Sequence, residues 1–215
     1  MKAKKSLGQN FLKSEIAIRK IIEAGEINKN DTILEIGPGK GVLTEKLIEQ
    51  AGLVIAVEKD YELFEFLKIK FEKEIKSCSL VLVHDDILKL KVREELSKFS
   101  SNTRYKIIAN IPYNITGAIF KKFLTEENQP ESMILMIQHE VAMRILARDD
   151  KESILSISVK AYGEPKMIMK VDKRYFSPMP KVNSAVISIK NISRKNFNSP
   201  LEEYPLGGGG MNLST

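Results

Sequence analysis

The sequence predicts an α/β fold in which strands and helices alternate around a mostly parallel sheet. Thr32–Ile36 is a short apolar, β-branched run that ends at Gly37, and a helical apolar pattern with Leu43 and Leu47 follows it. Further strand-like runs recur between helical patterns, and two final runs are expected to pair antiparallel. The recurring runs lie at residues 53–57, 80–83, 105–109 and 133–137, and the final pair at 166–171 and 184–189.

Length and composition limit the class of protein. A chain of 215 residues holds one full α/β domain and little more. The single cysteine, Cys78, excludes a disulfide framework and a cysteine-rich zinc site, and it fits a reducing compartment. No apolar run approaches the length of a membrane span, and polar residues interrupt the N-terminus where a signal peptide would be apolar. We therefore expect a cytoplasmic monomer without a membrane or metal partner.

The net charge of +6 is concentrated in two segments. Residues 1–20 carry six basic side chains and one acid, and residues 160–195 carry nine basic side chains and two acids. Two basic segments that flank a neutral body favour a polyanionic substrate. Lysines that merely solubilise the surface would give the same distribution, so charge leaves both interpretations open.

The N-terminal stretch at residues 6–12 precedes a predicted helix with Ile18, Ile21 and Ile22 on one face and Gly25 near its end. A stretch so close to the terminus is ordinarily a frayed tail. The sequence leaves open whether it closes over a ligand.

The turn after Thr32–Ile36 is the most informative short motif. Gly37, Gly39 and Gly41 alternate, and Glu35 lies two residues before the first of them. A dinucleotide turn needs G-x-G-x-x-G and would require glycine where this chain has Val42. Glycine lets the backbone pass close to a ligand. The alternating spacing is typical of S-adenosylmethionine-dependent methyltransferases, although a tight turn with no ligand could also use three glycines.

Acidic residues follow the next two strands. Glu58 lies about 20 residues beyond Gly39. At this distance from a glycine turn, a carboxylate at the end of the second strand typically accepts hydrogen bonds from the two hydroxyl groups of a ribose. A strand-end acid could instead cap the following helix, which is predicted to run unbroken over residues 61–75. One member of the Asp85–Asp86 pair is expected to accept a hydrogen bond from the adenine amine.

The fourth strand runs directly into Asn110, Ile111, Pro112 and Tyr113. The carboxyl ends of central strands face the ligand crevice, so Asn110 is expected beside the reactive methyl group. Its side-chain oxygen and a backbone carbonyl held rigid by Pro112 can accept from an exocyclic amine, while Tyr113 offers a stacking face. This arrangement favours methyl transfer to the amine of a nucleobase. Such a transfer requires that the amine be oriented, and it does not require a strong general base. The alternative is a plain turn before a helix at residues 116–124.

The last two strands are separated by a loop that contains Phe176 and Lys181 and is stiffened by Pro178 and Pro180. Beyond Ile192 the apolar pattern dissolves. We therefore predict one domain over residues 1–192 and an unstructured tail over residues 193–215.

Four segments together resemble the motifs of the KsgA-type ribosomal RNA adenine dimethyltransferase family, in that family's order and spacing. They are residues 6–12, 35–41, 110–115 and 176–184, and the resemblance covers residues 4 to about 190. It implies a Rossmann-like class I methyltransferase fold, with a seven-stranded mixed sheet and a C-terminal reversed β-hairpin. The small helical domain that the family normally adds after the last strand is expected to be absent.

The resemblance also implies site residues. Tyr113 and Phe176 match the aromatics that sandwich the target adenine, and with Asn110 and Pro112 they are the expected catalytic residues. Ile111 stands where the family usually has leucine. The expected S-adenosylmethionine site comprises Asn10, Leu12, Gly37, Gly39, Glu58, Asp86 and Asn110.

The implied activity is the transfer of two methyl groups to each of two adjacent adenosines in small-subunit (16S-type) rRNA, with a role in small-subunit biogenesis. Macrolide-resistance methylases of large-subunit rRNA share the core motifs and remain an alternative. A non-catalytic RNA-binding assembly factor is a second alternative, against which the intact Glu58, Asn110 and Tyr113 argue.

The two basic segments are predicted to form one continuous rim that contacts RNA phosphates. Without an additional helical domain, this rim would supply most of the RNA affinity, which is then weak and steeply dependent on salt. Its expected members are Lys4, Lys5, Lys173, Arg174 and Lys181.

Overall fold

The computed structural model describes residues 3–4, 7–99, 103–147 and 152–194, which contain nine strands and eight α-helices. The strands are β1 (Phe11–Leu12), β2 (Thr32–Ile36), β3 (Leu53–Glu58), β4 (Leu80–His84), β5 (Lys106–Asn110), β6 (Met133–Gln138), β7 (Glu164–Val171), β8 (Phe176–Ser177) and β9 (Ser184–Lys190). The helices are α1 (Glu15–Gly25), α2 (Val42–Gln50), α3 (Tyr61–Lys70), α4 (Glu72–Lys76), α5 (Val92–Ser97), α6 (Thr116–Thr125), α7 (His139–Leu146) and α8 (Ile154–Tyr162).

Seven strands form the central sheet in the order β4-β3-β2-β5-β6-β9-β7. The strands from β4 to β6 run parallel, and β9 runs antiparallel to both of its neighbours. The predicted seven-stranded mixed sheet with a reversed hairpin is therefore confirmed. Because β2 to β6 are parallel, their carboxyl ends lie along one edge of the sheet, where a ligand crevice is expected.

Helices cover both faces of the sheet. One apolar cluster joins α1, α2 and α3 to one face, and a second joins α5 to α8 to the other. The central strands must be apolar on both faces, and in β6 the residues from Met133 to Ile137 are fully buried. This explains why the central strands appear in the sequence as continuous apolar runs rather than as alternating patterns.

The prediction of one helix over residues 61–75 is wrong. Helix α3 ends at Lys70 and α4 begins at Glu72, because Phe71 between them departs from helical geometry (φ −111°, ψ 29°). Phe71 is buried beneath the glycine turn, and a Cβ at Gly41 would lie 2.5 Å from its ring. The break keeps that aromatic ring under the turn at the end of β2.

A second, two-stranded sheet joins β1 to β8 and was not predicted. It ties the N-terminal segment (residues 7–13) to the loop before β9, and Lys13 N–H extends the pairing by donating to Tyr175 O (2.8 Å). None of the helices within the described ranges has the length and apolar character that crossing a membrane requires. The predicted tail lies outside the described residues from position 195 onward.

Candidate functional site

A cavity of about 680 Å³ opens where β2, β3, β4 and β5 reach their carboxyl ends. Its walls come from the N-terminal segment, from the glycine turn after β2, and from the residues that follow the other three strands. Every residue predicted for the cofactor or the chemistry lines this cavity except Phe176. These residues are Asn10, Leu12, Gly37, Gly39, Glu58, Asp86, Asn110, Pro112 and Tyr113.

The glycine turn presents bare backbone to the cavity. Gly37 and Gly39 have φ angles of +65° and +60°, which side chains rarely tolerate. A Cβ at Gly37 would meet only Pro112 Cδ, at 3.9 Å, and would otherwise occupy open space. A Cβ at Gly39 would lie 3.1 Å from the ring of Phe11. The turn therefore leaves room for a ligand at Gly37 and for the N-terminal segment at Gly39.

Glu58 ends β3 in the cavity wall and is 5% exposed. Its Oε2 accepts from Gly39 N–H (3.1 Å), and its Oε1 accepts from Asp60 N–H (2.8 Å). Burial raises the pKa of Glu58, while these backbone hydrogen bonds act against the rise. The carboxylate ties the glycine turn to the start of α3, and its remaining lone pairs can accept from a pair of hydroxyl groups.

Glu35 is a second buried acid beside the turn, and it is 2% exposed. Its Oε2 accepts from Thr44 Oγ (2.7 Å), which joins the end of β2 to the first turns of α2. Burial raises the pKa of Glu35 to about 8, the hydrogen bond from Thr44 opposes the rise, and the nearby Glu58 adds to it. The sequence motif includes Glu35 but did not indicate this partner.

The raised pKa of Glu35 predicts a specific pH dependence of stability. Between about pH 4.5 and 8 the folded chain keeps the Glu35 proton while the unfolded chain releases it, so this group lowers the free energy of unfolding as pH rises. Glu35→Gln keeps an acceptor for Thr44 but removes the titration. As pH rises, the free energy of unfolding of Glu35→Gln minus that of the wild type should increase, with a slope that approaches about 1.4 kcal/mol per pH unit.

Urea unfolding of Glu35→Gln and wild type from pH 5 to 8 measures this difference. Glu45→Gln is the control, because Glu45 is exposed on the same helix as Thr44. Parallel pH profiles for Glu35→Gln and wild type would contradict a protonated Glu35 in the folded chain.

The N-terminal segment is held to Asp60, the residue that caps α3 beside the cavity. Gln9 Nε2 donates to Asp60 Oδ2 (2.7 Å), and Gln9 Oε1 accepts from Lys4 N–H (2.7 Å). Lys4 Nζ lies 2.8 Å from Asp60 Oδ1 and 3.1 Å from Glu62 Oε1. The predicted phosphate ligand Lys4 therefore has its charge paired with two acids, and Lys5 lies outside the described residues.

Asn110, the last residue of β5, is held in one orientation. Its Nδ2 donates to Asn10 O (3.1 Å), which assigns the other side-chain atom as the oxygen. This Oδ1 accepts no hydrogen bond from any residue that the structure describes. The N-terminal segment therefore fixes an acceptor with free lone pairs in the cavity wall.

Tyr113 begins the 3-10 turn Tyr113–Ile115, and its Oη lies 2.6 Å from Ser184 Oγ. Burial raises the pKa of Tyr113, and the hydrogen bond with Ser184 acts against the rise, so the phenol stays neutral. Ser184 is fully buried at the start of β9, opposite Gln138 at the end of β6. Sequence reasoning missed Ser184, although it is the last residue of the 176–184 motif.

Phe176 lies in the core and not in the cavity wall, where it was predicted. It pairs with Leu12 across the small sheet, is 3% exposed, and belongs to the apolar cluster that contains α1. Strand alternation instead turns the next residue, Ser177, toward the cavity. Stacking of Phe176 on a base stays a prediction, and it requires the ring to leave this cluster.

The described members of the predicted basic rim differ in their ion pairing. The pairing of β1 with β8 does bring the two basic segments together, as expected. Arg174, however, donates to Asp172 (Nε to Oδ1, 3.0 Å), and this hydrogen bond raises the pKa of Arg174. Lys173 and Lys181 line a second cavity, separate from the first. The described basic residues therefore do not form one row of unpaired cations.

Asp86 follows β4 at the edge of the main cavity. Its Oδ2 accepts from Lys59 Nζ (2.8 Å) and its Oδ1 from Leu88 N–H (3.0 Å). The hydrogen bond from Lys59 lowers the pKa of Asp86, which keeps the side chain an ionised acceptor. Across the described ranges, no three His, Cys, Asp or Glu side chains gather as a metal site would require.

Comparison with known proteins identifies the family. Residues 1–204 match the family model described as ribosomal RNA adenine dimethylase. Over 189 residues the chain is 42% identical to a ribosomal RNA small subunit methyltransferase A of Dehalococcoides mccartyi, covering 88% of this chain and 63% of that relative. The chain thus spans less than two thirds of the length of this relative.

Two solved structures share the fold and part of the sequence. A dimethyladenosine transferase from Plasmodium falciparum superposes with a TM-score of 0.75 at 30% identity, over 88% of this chain and 66% of the other. The 23S rRNA methyltransferase ErmE gives a TM-score of 0.71 at 28% identity, over 84% and 69%. The architecture, the cavity and the match over residues 1–204 agree: this chain belongs to the ribosomal RNA adenine dimethylase family.

Proposed function

We propose that this chain uses S-adenosylmethionine to dimethylate the N6 amines of two adjacent adenosines in small-subunit rRNA, and that it acts in small-subunit biogenesis. The observation that carries the proposal is the fixed acceptor of Asn110. Its amide nitrogen is held by Asn10 O, and Asn110 lines the same cavity as Glu58 and the glycine turn.

The residues around the cavity fit S-adenosylmethionine. The bare backbone at Gly37 leaves space for a ligand that a Cβ would fill. Glu58 offers lone pairs to a ribose diol, and the ionised Asp86 offers an acceptor to an adenine amine. A volume of about 680 Å³ lies within the usual range for cofactor pockets. Asn10 and Leu12 complete the proposed contacts from the N-terminal segment.

S-adenosylmethionine supplies an electrophilic methyl group on a sulfonium. The chain has to aim a neutral amine at it, and a strong base is not needed for that step. In the first transfer Asn110 Oδ1 accepts one amine hydrogen, and the Ile111 carbonyl, held rigid by Pro112, accepts the other. The nitrogen lone pair is then oriented by two fixed acceptors. The methylated nitrogen becomes cationic and releases one proton to water, so that one hydrogen and one of the two acceptors orient it for the second transfer. Tyr113, fixed by Ser184, supplies a ring face against which the base stacks.

The relatives favour small-subunit over large-subunit RNA as the substrate. The curated relative with 42% identity is named for the small subunit, whereas the ErmE structure, named for 23S rRNA, is 28% identical. A non-catalytic RNA-binding factor has no need for a fixed acceptor such as Asn110 beside a buried carboxylate such as Glu58. These observations support methyl transfer over binding alone.

The test uses ribosomal RNA from cells that lack adenine dimethylation. The purified chain is incubated with radiolabelled S-adenosylmethionine and with separated small-subunit and large-subunit particles. Digestion of the RNA to nucleosides identifies the modified base, and primer extension, which stops at dimethylated adenines, locates it in the sequence. We expect N6,N6-dimethyladenosine at two adjacent positions of the small-subunit RNA. Label confined to large-subunit RNA would replace the proposal with the resistance-type activity, and RNA binding without label would replace it with the assembly factor.

A further inference from the structure

A second cavity, of about 300 Å³, lies beside the carboxyl end of β6. Asn183 assembles it: its backbone oxygen accepts from His139 N–H (3.0 Å), and its Oδ1 accepts from Lys173 N–H (3.0 Å). One residue thereby joins the start of α7 to the 3-10 turn before β8. The lining residues are His139, Glu140, Lys173, Lys181, Val182 and Asn183.

The charges in this cavity are unlike those elsewhere on the predicted rim. No carboxylate of the described residues lies within ion-pair distance of Lys173 or Lys181. Lys173 Nζ donates a long hydrogen bond to Lys181 O (3.5 Å). The acid in the lining, Glu140, is paired with Arg144 (3.3 Å). Lys173 and Lys181, which have no ion-pair partner among the described residues, therefore line the same cavity as His139 and Asn183, whose side chains can supply further N–H donors.

The second cavity and the main cavity share one edge of the sheet. Along this edge the strands follow in the order β5, β6, β9 and β7. Asn110 and Tyr113 follow from β5, whereas His139, Asn183 and Lys173 belong to the ends of the next three strands. Neighbouring strands are about 4.8 Å apart, so the two cavities are separated by only a few strand spacings. Asn183 also directly precedes Ser184, the partner of Tyr113.

We propose that this second cavity binds one backbone phosphate of the RNA, close in sequence to the adenosine whose base enters the main cavity. The inference rests on the proposed function and deepens it by assigning a phosphate subsite. Lysine ammonium groups and neutral donors are the groups that hold phosphates and fix the register of a nucleic acid. Lys4 and Arg174 belong to the predicted rim but have no place in this subsite, since acids already pair with them.

The first experiment measures RNA affinity against salt concentration with no cofactor present. The probe is an RNA hairpin with two adjacent adenosines in a single-stranded loop. The variant Lys173→Ala/Lys181→Ala removes both ammonium groups from the subsite. The control Lys166→Ala/Lys170→Ala removes two exposed lysines of β7 that have no ion-pair partner among the described residues and do not line either cavity. One lost phosphate contact should flatten the logarithmic salt slope by about 0.7 in the first variant alone.

The second experiment locates the phosphate. Hairpins carrying a single uncharged methylphosphonate at successive linkages around the adenosines are titrated with wild type and with Lys173→Ala/Lys181→Ala. At one linkage the methylphosphonate should weaken RNA binding by the wild type and leave RNA binding by Lys173→Ala/Lys181→Ala unchanged. Such a result shows that this phosphate and the two lysines interact.

The outcomes separate the two proposals. If the wild type binds the hairpin but the subsite variant keeps the slope of the control, the phosphate subsite is wrong and the proposed function stands. Equal coupling at every linkage would also overturn the subsite, since it indicates a diffuse basic surface. If neither wild type nor the Lys166→Ala/Lys170→Ala control binds the hairpin or small-subunit RNA, the proposed function itself fails.

Discussion

Replacing Asn110 by alanine should lower the rate of methyl transfer by at least about a hundredfold, while binding of S-adenosylmethionine stays measurable. The rate falls because the substrate amine loses a fixed acceptor, and misorientation of the reacting nitrogen is costly. Binding survives because Glu58, Asp86 and the glycine turn remain. Single-turnover transfer of a tritiated methyl group measures the first effect, and calorimetric titration of the cofactor measures the second.

Two further asparagine variants sharpen this test. Asn110→Asp keeps an acceptor but places a carboxylate oxygen against Asn10 O, where the Nδ2 donor stands at 3.1 Å in the wild type. It should be nearly as slow as Asn110→Ala. Asn30→Ala, on an exposed turn away from the cavity, should match the wild type. If Asn110→Ala transferred methyl groups at the rate of Asn30→Ala, the acceptor role of Asn110 would be refuted.

Replacing Glu58 by alanine should weaken cofactor binding at least about tenfold, since hydrogen bonds to a charged group contribute about 1.5–3 kcal/mol. The structure adds a second reason: Gly39 N–H and Asp60 N–H both lose their acceptor, so the glycine turn is no longer tied to α3. Calorimetric titration with S-adenosylmethionine in the absence of RNA measures the effect.

Glu58→Gln separates the charge from the shape of this side chain. The glutamine presents an NH₂ group toward one of the two backbone donors, so it should recover only part of the lost affinity. Glu72→Gln is the control, since Glu72 is exposed at the start of α4 and does not line the cavity. Equal cofactor affinity for wild type and Glu58→Ala would remove Glu58 from the site.

The sheet could be predicted because its strands leave a strong local signal. Buried parallel strands are apolar on both faces, so Thr32–Ile36 and the runs after it stand out against polar turns. The break at Phe71 leaves no such signal, because Phe71 packs against Gly41, which is thirty positions away in the chain. Strand β1 is likewise too short to show an alternation of apolar and polar residues, and its partner β8 lies at the other end of the sequence.

The candidate site divides in the same way. Asn110 and Glu58 could be placed at the cavity because each follows directly from a strand end, and strand ends converge. The Gln9–Asp60 and Tyr113–Ser184 hydrogen bonds could not be predicted, since each joins segments whose distance in space depends on the finished sheet. Phe176 shows what a motif alone leaves open: the motif identified its position in the chain, but not that its ring lies in the core of this structure.

Strand β9 is synthesised last of the sheet yet lies between β6 and β7. While the ribosome has not yet released residues 184–190, a nascent chain therefore carries β6 as an edge strand, and its wholly apolar residues 133–137 are open to pairing with another chain. Insertion of β9 covers that edge, gives β7 its neighbour and delivers Ser184 to Tyr113 in one movement. The sheet is thus most exposed to aggregation until β9 has been inserted, and the step that ends this exposure also brings Ser184 to the cavity.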